Sequence, residues 1–304
     1  MSISSRIKTK LKQSATIRRV WSFFNATRYR RSYFDRKLNW FQRCIEKRNI
    51  DIIRALPTYV PLAEGNCSDI AELSLLSAQQ VANLLPIMAE RLDILQITQP
   101  TTAEDFCQNM QGADGAGLLK QYFDEYGSDK SRTHNYHLIY GALMRQPAQI
   151  QSLLEIGLGT NNDDVVSTMG EAGKPGASLR AFRKYLPNAT IFGADVDRRV
   201  LFEEERIQTY FVDQTKLSTF DDLGKIIKAP LDFIIDDGLH SPNANLTVMI
   251  FALSHLKKGG WLVIEDIAEA ALPIFHLASC LLAGKYHCHI VKAKGACVFL
   301  AQQK

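Results

Sequence analysis

Five short apolar runs in the second half of the chain each end on or beside a carboxylate, with helix-like stretches between them. The runs are SLLEI (152–156), TIFGAD (190–195), IQTYFVD (207–213), LDFIID (231–236) and WLVIED (261–266). A strand that is apolar at nearly every position must be covered on both faces, and strands that alternate with helices run parallel. The pattern predicts an α/β fold, a Rossmann-like, doubly wound and mostly parallel sheet of seven strands. The last two strands lie in YHCHIVKAKGACVFLAQ (286–302), read as a C-terminal antiparallel hairpin around KAKG. SLRAFRKYL, a stretch near 221–228 and NANLTVMIFALSHL supply the intervening helices.

The acids at the strand ends constrain what such a sheet can bind. Glu155, Asp195, Asp213, the pair Asp236 and Asp237, and the pair Glu265 and Asp266 all fall there. Ligands of open α/β sheets bind beyond the carboxyl ends of the strands, so these seven are expected around one crevice. Neighbouring carboxylates repel, and burying one unpaired costs on the order of several kcal/mol. A crevice of this kind calls for a cation, for hydroxyl groups, or for both. An N-cap role accounts for Asp266 alone equally well. EIGLG (155–159) adds Gly157 and Gly159, which let the backbone turn tightly against a ligand. The third glycine of a dinucleotide fingerprint is missing; Asn162 stands there. Together with Asp195 after the second strand, the pair suggests a nucleoside whose ribose hydroxyls an acid holds. A ligand that is both nucleoside and cation is S-adenosylmethionine.

Composition sets the frame for the rest. The chain has 304 residues, 46% of them apolar and 22% charged, as in an ordinary globular protein. Its net charge of +4 hides an asymmetry: residues 1–50 hold fourteen Lys or Arg against Asp35 and Glu46, a net of +12, which leaves 4 − 12 = −8 for the remainder. The basic arm interleaves aromatics such as Trp21, Phe24, Tyr33 and Trp40. It reads as an amphipathic helix on an anionic membrane surface, as a nucleic-acid contact, or as a solvated helix docked on the body. Residues 51–125 read as a helical accessory region, and 126–304 as the catalytic domain. Six scattered cysteines without a CxxC pair suggest reduced structural thiols. No apolar run reaches the ~18–20 residues that cross a bilayer. The basic N-terminus lacks the apolar stretch of a secretory signal. The expected location is the cytoplasm, with the arm able to hold the protein at the inner membrane face.

With YGSDKSRTHNYHLIYG (126–141), LLEIGLGTNN (153–162), GKPGASLRAF (173–182), IFGADVD (191–197), FVDQT (211–215), FIIDDGLH (233–240) and GGWLVIEDI (259–267), the chain resembles the class I S-adenosylmethionine-dependent methyltransferases. More narrowly it resembles the metal-dependent O-methyltransferases that modify sugars of macrolides and bacterial polysaccharides. The resemblance covers about 126–267, and 1–125 has no share in it.

It implies a Mg2+-assisted transfer of methyl from S-adenosylmethionine to a sugar hydroxyl, with these roles. Glu155, Gly157 and Gly159 line the methionine end of the cofactor; Ser178, Asp129 and Lys130 are further cofactor-binding candidates, the last two at its carboxylate or at the acceptor. Asp195 holds the ribose, Asp213 and Gln214 sit at the adenine, and Asp236 lies by the sulfonium or the metal. Metal ligands come from Asp236, Asp237, Glu265 and Asp266. His240 is the general base, with Asp237 beside it. His134, Tyr136 and His137 are further candidates for contacts to cofactor or acceptor. The loop 158–176 is long for a glycine-rich turn and reads as a lid, with Asp163 and Glu171 as alternative ligands. The competing classes are a non-catalytic nucleoside-binding or membrane-scaffolding protein and an RNA methyltransferase that uses the arm. An NAD-dependent oxidoreductase is disfavoured by the missing glycine and the terminal hairpin. The acceptor's identity and a homo-oligomeric state are left open.

Overall fold

A computed structural model describes residues 40, 42–62, 65–94 and 99–304. The reading of an amphipathic arm falls mostly on 1–39 and 41, outside the described residues. The chain divides into two compact units, Met1–Ala82 and Asn83–Lys304. In the first, the described residues are helical over 42–55 and form a short 3-10 turn at Pro57–Tyr59. Helix α1 (Cys67–Arg91) begins there and runs past the division, carrying Pro86 inside it.

The second unit is built on one sheet. Its strands are β1 (Thr101–Thr102), β2 (Ser152–Ile156), β3 (Thr190–Asp195), β4 (Glu203–Glu204), β5 (Ile207–Phe211), β6 (Leu231–Asp236), β7 (Leu256–Ile267), β8 (Tyr286–Lys292) and β9 (Cys297–Gln303). The spatial order is β1-β8-β9-β7-β6-β2-β3-β5-β4. From β7 through β6, β2 and β3 to β5 every pairing is parallel, while β9 is antiparallel to both β7 and β8. Seven strands form the body, as expected, and two-residue strands β1 and β4 extend the edges. The chain leaves β2 toward β3 on one side and returns to β6 on the other, so the order reverses between β2 and β6. A crevice opens at such a switch point.

Helices α2 (Ala103–Asn109), α3 (Ala113–Tyr126), α4 (Tyr136–Leu143) and α5 (Ala177–Tyr185) are followed by α6 (Leu217–Ile226), α7 (Pro242–His255) and α8 (Leu272–Leu282). The two faces of the sheet carry separate cores. Leu153, Phe233, Ile235 and Val263 pack with Phe123, Tyr140 and Phe182 from α3, α4 and α5. Leu154, Ile234, Leu262 and Ile264 pack with Phe220, Val248 and Phe251 from α6 and α7. The alternation of odd and even numbers is the period-two geometry of a strand, and it recurs in the site below. α3 and α4 approach so closely that a Cβ on Gly141 would sit 2.4 Å from the Ala116 nitrogen. Thus α2 and α3, grouped by sequence with an accessory region, belong to the sheet-bearing unit.

Candidate active site

A cavity of about 910 Å³ lies at the carboxyl ends of the central strands. Its walls are the turns after β2, β3, β5 and β6, the end of β7, the segment Gly127–Lys130 before α4, and the loop that leads into α5. Gly157 makes the first turn possible: its φ is +95°, and a Cβ there would lie 2.1 Å from the carbonyl oxygen of Asp237. Only glycine allows β2 and β6 to separate this narrowly.

The seven strand-end acids divide by sheet face. Asp236 is fully buried on the α7 side, accepting from Gln214 Nε2 (2.7 Å), Asn245 Nδ2 (2.9 Å) and the Gly238 N–H. Burial raises its pKa, and the Asn245 and Gln214 bonds oppose that rise. Glu155 on β2, Glu265 on β7 and Asp237, one residue past β6 between them, lie on the opposite face. All three meet the ammonium of Lys130, at 3.2 Å from Glu155 Oε1, 2.6 Å from Asp237 Oδ2 and 2.5 Å from Glu265 Oε2. Lys130 is only 1% exposed. Burial alone would lower its pKa, but Asp237, Glu265 and Glu155 together raise it well above the ordinary lysine value. Ser178 at the start of α5 donates to Glu155 Oε2 (2.6 Å), and the Tyr140 hydroxyl donates to Glu265 Oε1. Burial pushes both glutamates up against the pull of Lys130.

Asp237, His240 and Asp266 form the outer part of the cluster. Each offers a ligand atom, and these atoms lie within 4.8 Å of one another. His240 Nε2 stands 3.8 Å from Asp266 Oδ2, and the Tyr136 hydroxyl donates to Asp266 Oδ1 (2.6 Å). His134 stacks on Tyr136 with ring centroids 4.7 Å apart. Burial, then Glu265 and Asp266, hold the Tyr136 hydroxyl protonated. Both His240 (φ 54°) and Asp266 (φ 55°) adopt the left-handed backbone region, which is costly for residues other than glycine. Asp266 sits in a register shift between Ile264 and Ile267, a bulge that turns its side chain out of the strand's alternation.

On the other side of the cavity, Asp195 accepts from the N–H groups of Leu158 (2.7 Å) and Asp197 (2.8 Å), which ties the β2 and β3 turns together. Asp197 accepts from Thr160, Asn162 and Arg199, whose guanidinium is the main cause of its lowered pKa. Asp213 is paired with Lys216 at 2.7 Å and bonded to Thr215.

No family model matches this chain. The 8-demethyl-8-alpha-L-rhamnosyl tetracenomycin-C 2'-O-methyltransferase of Streptomyces olivaceus is 30% identical over 153 residues, 49% of this chain and 38% of its own length. The mycinamicin VI 2''-O-methyltransferase of Micromonospora griseorubida is 36% identical over 101 residues, 33% of this chain and 25% of its own length. Among solved structures, the MycE methyltransferase of the mycinamycin biosynthetic pathway, crystallised with Mg and SAH, superposes with a TM-score of 0.51 at 22% identity. That match covers 61% of this chain and 54% of the other. The chain has the methyltransferase fold. Over the matched segment it is a relative of sugar O-methyltransferases, and it spans well under half the length of these curated relatives.

Within this methyltransferase fold, Asp129, Lys130, Gly157, Gly159, Ser178, Asp195, Asp213, Gln214, Asp237, His240 and Asp266 all line the cavity. Glu155, Asp236 and Glu265 do not; they lie beneath its floor, bonded to internal donors. The crevice therefore gathers four of the seven acids, not all of them. Asp163 and Glu171 are exposed and stand outside the Asp237–His240–Asp266 group. The cavity also takes in Asp197 and Met169, which the sequence had not singled out. Asp197 shares strand parity with Asp195, two residues on, and that parity was the available signal.

Proposed function

We propose that this chain transfers a methyl group from S-adenosylmethionine to a hydroxyl of a sugar or glycosylated acceptor, assisted by a divalent ion such as Mg2+. The observation that carries the proposal is the meeting of Asp237, His240 and Asp266 at the rim of a cavity whose opposite wall has the glycines and acids suited to a nucleoside. The curated relatives are named for O-methylation of glycosylated natural products, and the MycE structure holds Mg and SAH.

The residues present fit both groups. For the donor, Gly157 and Gly159 have positive φ and leave backbone where side chains would intrude, Gln214 stands at one wall, and Asp195 and Asp197 stand at another. For the ion, one ammonium faces three carboxylates, and Asp266 adds a fourth nearby. That excess of negative charge suits a hard dication, which prefers oxygen ligands. Asp237 and Asp266 would hold it.

When bound, the sulfonium supplies an electrophilic methyl, and the dication lowers the pKa of an acceptor hydroxyl. The chain's own part is placement and proton removal. Lys130 fixes Asp237, and Tyr136 fixes Asp266, so two carboxylates face the cavity in set positions. Placement is worth up to ~7–11 kcal/mol of barrier in favourable cases. His240 is exposed at the cavity edge beside Asp266, positioned to accept the hydroxyl proton as oxygen takes the methyl and sulfur keeps the electron pair. The arm of residues 1–50 is read as a peripheral contact to an anionic membrane.

Calorimetry with S-adenosylhomocysteine, followed by mass spectrometry of glycosides incubated with the donor, tests the proposal. Saturable binding and a 14-Da gain that EDTA abolishes and Mg2+ restores are expected. Methylation that survives exhaustive EDTA would remove the ion from the scheme, and absence of binding would remove the donor.

A further inference from the structure

We propose that the Lys130 ammonium is a resident cation that partitions the carboxylate cluster. It closes an inner half, Glu155 and Glu265, and shares Asp237 with a divalent ion admitted at the outer half, thereby setting that ion's affinity. The inference rests on the metal reading above and deepens it.

Oxygen-by-oxygen pairing carries it. Glu155 has Oε2 on the Ser178 hydroxyl, and its Oε1, without a hydrogen bond, lies in ion-pair range of the Lys130 ammonium at 3.2 Å. Glu265 has Oε2 on Lys130 and Oε1 on the Tyr140 hydroxyl. Both are at most 1% exposed and neither lines the cavity, so burial behind Lys130 closes them to an ion arriving from it. Asp237 differs. Its Oδ2 is bonded to Lys130, no donor among the described residues reaches Oδ1, and the side chain is 23% exposed on the cavity wall. Asp266 likewise has Oδ1 on Tyr136, while Oδ2 has only the more distant His240. The open oxygens are therefore on the two outer acids, and the closed ones on the two inner acids.

Lys130 cannot withdraw easily. Its backbone carbonyl accepts from the Tyr136 N–H at 3.0 Å, which ties the loop to the start of α4, and its side chain is enclosed. The fixed positive charge lies 2.6 Å from one oxygen of the very carboxylate that an ion would use. At that separation a like charge opposes the incoming dication, and removing it strengthens binding. The ammonium also offsets part of the repulsion among three acids that would otherwise be uncompensated.

Titration calorimetry with MnCl2 on the 304-residue chain tests the inference. Compared with wild type, Lys130→Met should bind Mn2+ roughly tenfold or more tightly, while Lys130→Arg, which keeps the charge, should stay within about threefold. Unchanged or weaker binding by Lys130→Met overturns the inference, as does equal tightening in the Arg variant. If Lys130→Met does not fold alone, refolding with MnCl2 should recover it where NaCl of matched ionic strength does not; no recovery overturns the inference. A wild-type chain with no saturable Mn2+ binding would instead sink the metal reading itself, a result distinct from either.

Discussion

Two adjacent acids at the end of β6 look like a liability until the pleat is considered. Asp236 and Asp237 leave the backbone on opposite faces, one to amide donors, the other to an ammonium and the cavity. Their mutual repulsion is relieved by direction before any ligand arrives. Three residues further, His240 occupies a left-handed turn that a glycine would hold with less strain. That turn sets the imidazole at the cavity edge beside Asp266. His240→Ala is accordingly expected to lower kcat by about 10²–10⁴ while S-adenosylhomocysteine affinity stays within about twofold. Single-turnover assays beside calorimetry decide this, and undiminished turnover would move the base elsewhere.

The turn from β2 toward α5 carries a second expectation at the level of the element. Gly157→Ala combines a positive φ with a Cβ 2.1 Å from the Asp237 carbonyl, so β2 and β6 must part. Gly170→Ala also has positive φ, but nothing lies within 4 Å of its Cβ. The first should lose donor binding and several degrees of Tm; the second should pay only backbone strain, roughly 1–3 kcal/mol, and keep binding. Thermal melts with and without S-adenosylhomocysteine separate the two. The strands themselves were legible in the sequence, because runs such as SLLEI and LDFIID are mostly apolar and end on or beside an acid; β2 and β6 follow those runs residue for residue. The split of the acids was not legible. It depends on register, Ile156 beside Asp236 and Asp236 beside Ile264, which sets Asp237 and Glu265 side by side on one face. Register is a tertiary property of β2, β6 and β7 together. Nor could spacing show that Lys130, more than one hundred residues before Asp237, would fill the centre of the cluster. Its GSDK motif suggested a cofactor contact, and an internal counter-charge became visible only when α4 and the sheet were packed.

At the scale of the molecule, charge is spread so that acidity should weaken the fold through histidines rather than through paired surface acids. His137 on α4 and His276 on α8 are both half-buried, and burial is the leading cause of their lowered pKa values. Unfolded histidines titrate near ~6.5. With the folded values below that, the unfolded chain binds more protons, so this contribution to stability is fully present above pH ~6.5 and declines as pH falls through it. Asp124 acts with the same sign in a lower window: the Ser131 hydroxyl and its Lys120 and Arg132 partners hold it at about 2, so its support is lost only as pH falls below the ordinary carboxylate range. Glu155, Glu265 and Asp236 are shifted upward and act against the histidines, which makes a bare pH profile ambiguous. The difference between variants is not ambiguous. Wild type should lose more Tm between pH 7.5 and 5.0 than His137→Gln or His276→Gln, by roughly 2–4 °C for each kcal/mol of histidine linkage removed. Parallel pH series by scanning calorimetry test this directly. Superimposable losses in wild type and both variants would show that neither ring is held neutral by its burial, and acid sensitivity would then have to be sought in the carboxylates around Lys130.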